Sequence, residues 1–231
     1  QNAVEHAPEN TLVLENLAIA LTNMGRQDEA LLHWQRRVQL SPKNSRAHLN
    51  LGTALGFLNQ VAEAEFHLQH ATQLNPNSAT AFFRLGRTQS YLGRFDDALG
   101  NFRVAMTLNP DEPMALSAAA RLLATHPDSS KRRPSEALDL ANKVLKQLPR
   151  PDASSLSTLA MAQAAAGDFV QAASTAKLAL RRVKPDNILL EKILRRQVDH
   201  YKQGQIEVVR AAGEKRFVAP SERRRSSSLP N

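Results

Sequence analysis

Apolar and small residues return along this chain at a fixed spacing of 34 positions. The columns hold proline, leucine at two places, and alanine: Pro8, Pro42, Pro76 and Pro110; Leu17, Leu51 and Leu85; Leu40, Leu74 and Leu108; Ala30, Ala64 and Ala98. Because several independent columns share one register, the pattern indicates internal repeats of 34 residues.

Each period contains the signals of two helices and of the turns that join them. Turns are expected near Gly25, Asn59 and Gly93, and the proline column ends the second helix of each repeat. Small residues let paired helices approach closely, while leucine and aromatic residues fill the space between them. Aromatic residues make up only 5% of the chain, which favours helices over sheets. The pattern therefore predicts an all-α fold of antiparallel helix hairpins.

After Pro113 the register loosens. The alanine expected one period after Ala98 arrives five residues late, at Ala137. The extra residues fall in 126–134, a stretch with proline and serine that is typical of a surface loop. A fifth hairpin is expected to turn at 167–169, and a last helix has one apolar and one charged side, as the terminal cap of a helix stack requires.

These signals predict the following organisation: the end of a preceding repeat in 1–10, three regular repeats in 11–112, two divergent hairpins in 113–185, a capping helix in 186–204, and a flexible basic tail in 205–231. Ala3 falls in the column of Ala71 and Ala105, and the chain begins with Gln1 rather than Met. We therefore expect a truncated N-terminus.

The 34-residue period resembles the tetratricopeptide repeat, whose pattern is W-x2-L-G-x2-Y, then A-x3-F, then P. The third repeat, 79–112, carries the resemblance at Phe82, Leu85, Gly86, Ala98, Phe102 and Pro110. The resemblance covers 1–112 closely and 113–203 more weakly, and it implies a right-handed α-solenoid. The C-terminal part is similar to terminal repeats of bacterial multidomain proteins, in which the array follows another module such as a multihaem cytochrome, a sulfatase or a glycosyltransferase.

In this family the first helices of successive repeats line a concave groove that binds peptides or partner helices. The resemblance implies seven groove residues: Asn16, Asn50, Phe57, Phe83, Arg84, Arg87 and Tyr91. Arginine can bond a carboxylate bidentately, so arginines beside aromatic residues suit a ligand with acidic and apolar side chains. Phe57 and Tyr91 share one column, which could equally pack between repeats. A chaperone-type carboxylate clamp matches poorly, because Glu15 would repel a carboxylate.

Charge is distributed unevenly, although the whole chain carries +8. Residues 1–120 hold 9 basic and 11 acidic groups, net 9 − 11 = −2, and residues 121–231 hold 21 and 11, net 21 − 11 = +10. Nucleic-acid binding through the basic half is therefore one alternative. Few aromatic residues are interleaved with these charges, so a solvated face is the favoured interpretation.

No catalytic constellation is apparent, and the absence of cysteine removes thiolate metal sites and cysteine nucleophiles. Glu63, His67 and His70 share one helical face, but His33 stands one period before His67, which indicates a polar surface column rather than a metal site. We expect no enzyme activity, no cofactor and no bound metal. The sequence predicts a protein-interaction scaffold; the alternative is an accessory region of a larger enzyme or redox protein.

Overall fold

The fold consists of helices packed as successive hairpins, seen in a computed structural model that describes residues 11–209 and residue 211. Eleven α-helices occur in this part of the chain: α1 Thr11–Asn23, α2 Gln27–Leu40, α3 Ser45–Phe57, α4 Val61–Leu74, α5 Ala79–Tyr91, α6 Phe95–Leu108, α7 Pro113–Thr125, α8 Pro134–Gln147, α9 Ala153–Ala165, α10 Phe169–Leu180 and α11 Ile188–Lys202. Within the described residues there is no strand. The predicted all-α fold of the α-solenoid class is confirmed.

The chain divides into two compact units, of which unit 1 extends to Asn109. Its described part contains three hairpins, α1/α2, α3/α4 and α5/α6. The turns lie where the sequence predicts them, and each contains a residue of positive φ: Gly25 at 75°, Asn59 at 60° and Gly93 at 80°. These are the residue types that adopt a left-handed conformation at low cost.

Close helix contact within the unit 1 hairpins depends on two glycines. A Cβ placed on Gly52 would lie 2.8 Å from Leu68 Cγ, and one on Gly86 would lie 2.7 Å from Phe102 Cε1. The recurrence of glycine one period apart therefore has a direct packing reason: any side chain there would collide with the second helix of the same hairpin.

Unit 2 begins at Pro110 and contains α7 to α11. The loop at 126–134 forms a short 3₁₀ turn, Ser129–Lys131, and returns to α7 where the Arg133 N–H donates to the Leu123 carbonyl at 3.0 Å. Helix α11 buries Val198 and Tyr201 against alanines of α9 and α10. One side of α11 thus packs on the preceding hairpin.

The chain after α11 differs from the sequence expectation of a loose tail beginning at residue 205. Residues 205–209 are half-buried, and the Val209 N–H donates to the Thr125 carbonyl at 2.8 Å. The sequence missed this contact because it depends on the distant end of α7. The proposed repeat end in 1–10 and the remainder of the tail, residue 210 and 212–231, lie outside the described residues. No described helix is both long and apolar enough to cross a membrane.

Candidate partner-binding site

The candidate site lies on the first helices of the unit 1 hairpins, α1, α3 and α5. We call it the first-helix face and define it by six side chains that are exposed or half-buried: Asn16, Asn50, Phe57, Arg84, Arg87 and Tyr91. Asn16 belongs to α1, two of the residues belong to α3, and the other three belong to α5. The 34-residue register places them at related positions on successive hairpins.

Two arginines on α5 share one aromatic support. The guanidinium carbons of Arg84 and Arg87 lie 5.9 Å and 5.8 Å from the ring centroid of Phe83. Cation–π attraction to this one ring holds both positive groups close together. The spacing of three residues on a helix is what allows the two side chains to share it.

Phe83 itself is not the exposed groove contact that the sequence predicts. Only 5% of its surface is accessible, and its ring packs on that of Phe102 with centroids 6.1 Å apart. The physical reason is that the ring lies between the second helix of the hairpin and the two arginine side chains above it. Phe83 thus supports Arg84 and Arg87 from its buried position.

In the part of the chain that the structure describes, no acidic group offsets the positive charge of this pair. Among the described residues, neither Arg84 nor Arg87 has a carboxylate within ion-pair distance. Partial burial lowers the pKa of Arg84, and the neighbouring charge of Arg87 lowers it further. Both effects mean that bringing these guanidinium groups together costs free energy, which a bound anion would offset.

The acidic group predicted to repel a carboxylate is, by contrast, already paired. Glu15 on α1 is buried, and its Oε1 lies 2.8 Å from Arg46 Nε on α3. Its second oxygen is 4.0 Å from Arg37 Nε on α2. The carboxylate is thus shielded by two guanidinium groups, so repulsion of an acidic ligand by Glu15 is reduced.

The two aromatic residues at the ends of α3 and α5 differ in their surroundings. The Tyr91 hydroxyl donates to Asn59 Oδ1 at 2.6 Å, which ties the end of α5 to the preceding α3–α4 turn. Phe57 is 62% exposed, and Tyr91 is 45% exposed. Tyr91 therefore makes an inter-repeat contact and still presents part of its ring, whereas Phe57 presents most of its ring to solvent.

A histidine cluster between α3 and α4 was not recognised from the sequence as a unit. His48 Nδ1 and His67 Nδ1 are 3.0 Å apart, the His48 ring stacks with that of His70, and Phe66 contacts the rings of His67 and His70. His67 is half-buried and contacts the buried His48, so it is not simply part of a surface column. Glu63 is exposed, and no group of three possible metal ligands occurs among the described residues.

A partly buried polar network joins α4, α5 and α6, and it too was missed. Glu65 forms an ion pair with Arg94 and accepts from Gln89 Nε2 at 3.4 Å, while Gln89 Oε1 accepts from Asn101 Nδ2 at 2.6 Å. The positions one period before and after Glu65, 31 and 99, hold leucine, and so does position 55, one period before Gln89. This departure from the repeat pattern was the available signal, and the network fixes the second and third hairpins relative to each other.

Comparison with known families identifies the repeat. Family models of the tetratricopeptide repeat match residues 45–78 and 83–149, which include the α3/α4 hairpin and most of the helices from α5 to α8. These parts of the chain are tetratricopeptide repeats. No curated protein sequence matches it.

Solved structures with the same fold are similar to most of the chain. PilF of Pseudomonas aeruginosa has a TM-score of 0.67 at 22% identity, covering 84% of this chain and 85% of that one. YrrB, described as a tetratricopeptide protein with an unusual peptide-binding site, has a TM-score of 0.62 at 20% identity, covering 84% and 96%. A thermophilic tetratricopeptide protein of Thermus thermophilus, TTC0263, has a TM-score of 0.63 at 18% identity, covering 81% and 98%. At these identities the likeness establishes the fold.

Proposed function

We propose that this protein is a non-catalytic interaction scaffold, and that the first-helix face of unit 1 binds a peptide segment with acidic and apolar side chains. The observation that carries the proposal is the Arg84–Arg87 pair, two adjacent cations that share one ring and have no carboxylate partner in the described part of the chain. Repeat stacks of this class commonly use such extended faces for binding.

The chemistry of the pair favours a carboxylate. Hydrogen bonds between a guanidinium and a carboxylate are charge-assisted, and they gain strength where the guanidinium is partly removed from water. Arg84 is half-buried and already supported by Phe83, so little side-chain freedom remains to be lost on binding.

The apolar part of the ligand would contact the exposed rings. Phe57 and Tyr91 are aromatic residues with accessible faces, and aromatic residues of this kind commonly contribute a large share of interface energy. Asn16 and Asn50 provide amide groups that can bond a peptide backbone. That this array serves a larger enzyme or redox protein, or binds nucleic acid, stays a prediction from the sequence.

A peptide-display selection tests the proposal directly. Random peptides are selected on the wild-type protein and on the variant Arg84→Gln/Arg87→Gln. A matched control, Arg36→Gln/Lys43→Gln, removes the same charge from exposed positions outside the first-helix face. We expect enrichment of Asp and Glu next to apolar residues on the wild type and the control, and loss of that enrichment on the arginine variant. Equal enrichment on all three proteins would overturn the assignment.

A further inference from the structure

A second candidate site lies in unit 2, where the residues that follow α11 pack against α11 and α7. After Gly204, whose φ is 66°, residues 205–209 turn back along α11; we call these five residues the return segment. The Gln205 N–H donates to the His200 carbonyl at 2.9 Å, and the Val209 N–H donates to the Thr125 carbonyl at 2.8 Å. The segment therefore joins α11 to the C-terminal end of α7 without forming helix or strand.

The centre of the return segment is held by a carboxylate. Glu207 forms an ion pair with Arg196 of α11 and accepts from Gln197 Nε2 at 3.3 Å. Its side chain is only 18% exposed, although Glu207 belongs to an irregular segment near the end of the described chain. A desolvated carboxylate is retained because both of its oxygens find donors.

The Gln197 amide that donates to this carboxylate is itself fixed in place by a further hydrogen bond. Gln197 is fully buried, and its Oε1 accepts from Ser157 Oγ of α9 at 3.0 Å. That bond orients the amide so that its Nε2 faces Glu207. Since α9 packs against both α7 and α11, three helices at equivalent places in successive hairpins build one site.

The sequence of the return segment has the character of a peptide ligand. It reads Gln-Ile-Glu-Val-Val, one acidic residue among aliphatic ones, and its apolar side chains are half-buried. Beyond the C-cap bond of Gln205, the contacts that hold the segment are those of the Glu207 carboxylate and of the Val209 N–H. A peptide supplied by another molecule could make every one of them.

We propose that this surface of α7, α9 and α11 is a peptide-binding site that the return segment occupies in cis. The partner it fits is an extended peptide in which one Glu or Asp lies between β-branched residues. The return segment must leave before that partner binds, so it acts as an internal competitor. This proposal concerns unit 2 and stands independently of the arginine pair in unit 1.

Because the return segment is covalently attached next to its site, it weakens the binding of an external peptide. A segment attached by a few residues has an effective concentration of order millimolar at its own site. The apparent dissociation constant of an external peptide rises by the inverse of the fraction of molecules whose site is free. If the segment is bound in about nine molecules of ten or more, the wild-type affinity is at least tenfold weaker than that of a released variant.

The test uses the full chain and a fluorescein-labelled peptide of residues 203–211 as the probe. The released variant is Glu207→Gln/Val209→Pro, which removes the carboxylate and the N–H that bonds Thr125. Faster hydrogen exchange of residues 205–208 checks the release, and circular dichroism checks that the helices are retained. Glu207→Gln alone serves as the milder variant if the double change impairs folding.

We expect at least tenfold tighter probe binding to the released variant than to the wild type, measured by fluorescence anisotropy. Adding Arg196→Gln to the released variant should abolish this gain, and a probe with Gln in place of its Glu should bind neither protein. Equal affinity for wild-type and released proteins, or no binding to a protein whose segment has been released, would overturn the proposal.

Discussion

The close approach of α5 and α6 makes opposite predictions for two glycines in the same hairpin. A Cβ on Gly86 would lie 2.7 and 2.8 Å from ring carbons of Phe102 and 3.0 Å from the Ala98 carbonyl oxygen. A Cβ on Gly100 would meet nothing within 4 Å. Gly86→Ala and Gly100→Ala therefore add the same methyl group to one crowded and one open position.

The expected difference follows from two opposing terms. Each substitution replaces a helical glycine, which favours the folded state by about 1 kcal/mol. At Gly86 the methyl group also collides with a buried ring and with backbone, and overpacking of this kind costs about 1–3 kcal/mol. Phe102 is only 2% exposed, so its ring has little free space to move into. Because the propensity gain is common to both, Gly86→Ala should be less stable than Gly100→Ala by about 1–3 kcal/mol.

Urea unfolding followed by circular dichroism at 222 nm measures this difference. The two variants are compared at equal m values, so that the change in midpoint reports stability and not a change in cooperativity. A Gly86→Ala protein that is as stable as Gly100→Ala would refute the packing argument.

Three further predictions concern single side chains. Burial, together with the charges of nearby histidines, lowers the pKa of His67 from 6.5 to about 4. Between these pH values the unfolded chain binds more protons than the folded protein, so the free energy of unfolding should fall as the pH is lowered. Urea midpoints at pH 7 and pH 5 should therefore differ less for His67→Gln than for the wild type. The buried Tyr201 hydroxyl has no hydrogen-bond partner among the described residues, so Tyr201→Phe should raise the free energy of unfolding by about 1 kcal/mol, and a loss of stability would argue for a hidden partner. Asp152 caps α9 by accepting from the Ser155 N–H at 2.7 Å, so Asp152→Ala should cost about 1 kcal/mol in urea unfolding, while an unchanged midpoint would show that the cap is dispensable.

The helix hairpins could be predicted from the sequence because their determinants are local and repeated. A glycine or asparagine at each turn, proline after each second helix and alanine at each crossing return every 34 residues, so that each period supports the interpretation of the others. Even the close contact at Gly86 is indicated by the sequence, because Gly52 occupies the same position one period earlier.

The side-chain partners that define the candidate site were harder to predict. The register places Arg84 and Arg87 on the first helix of the third hairpin. It does not reveal that Glu15 is paired with Arg46, while the other two arginines have no carboxylate partner in the described chain. Such pairing depends on which long side chains meet across helices far apart in sequence. The burial of Phe83 results both from its own helix, through Arg84 and Arg87, and from Phe102 on the second helix of the hairpin.

The return segment shows the same limit more sharply. Its position depends on contacts with residues far away in the sequence: the Glu207 carboxylate meets Arg196 and the buried Gln197, and the Val209 N–H donates to the Thr125 carbonyl. The available sequence signal was the cluster of aliphatic residues around Glu207, which interrupts an otherwise polar stretch.

We propose above that Arg84 and Arg87 bind a carboxylate of a partner peptide, and a double-mutant cycle measures this interaction. One display-selected acidic peptide, and the same peptide with its acidic residues changed to Asn or Gln, are titrated by fluorescence anisotropy into the wild type and Arg84→Gln/Arg87→Gln. Because hydrogen bonds to charged groups contribute about 1.5–3 kcal/mol, we predict a coupling energy in that range between the arginines and the acidic residues. If the affinity losses of the protein change and of the peptide change add to the loss of the double change within about 0.5 kcal/mol, the arginines and the acidic residues act independently, which would contradict the proposal.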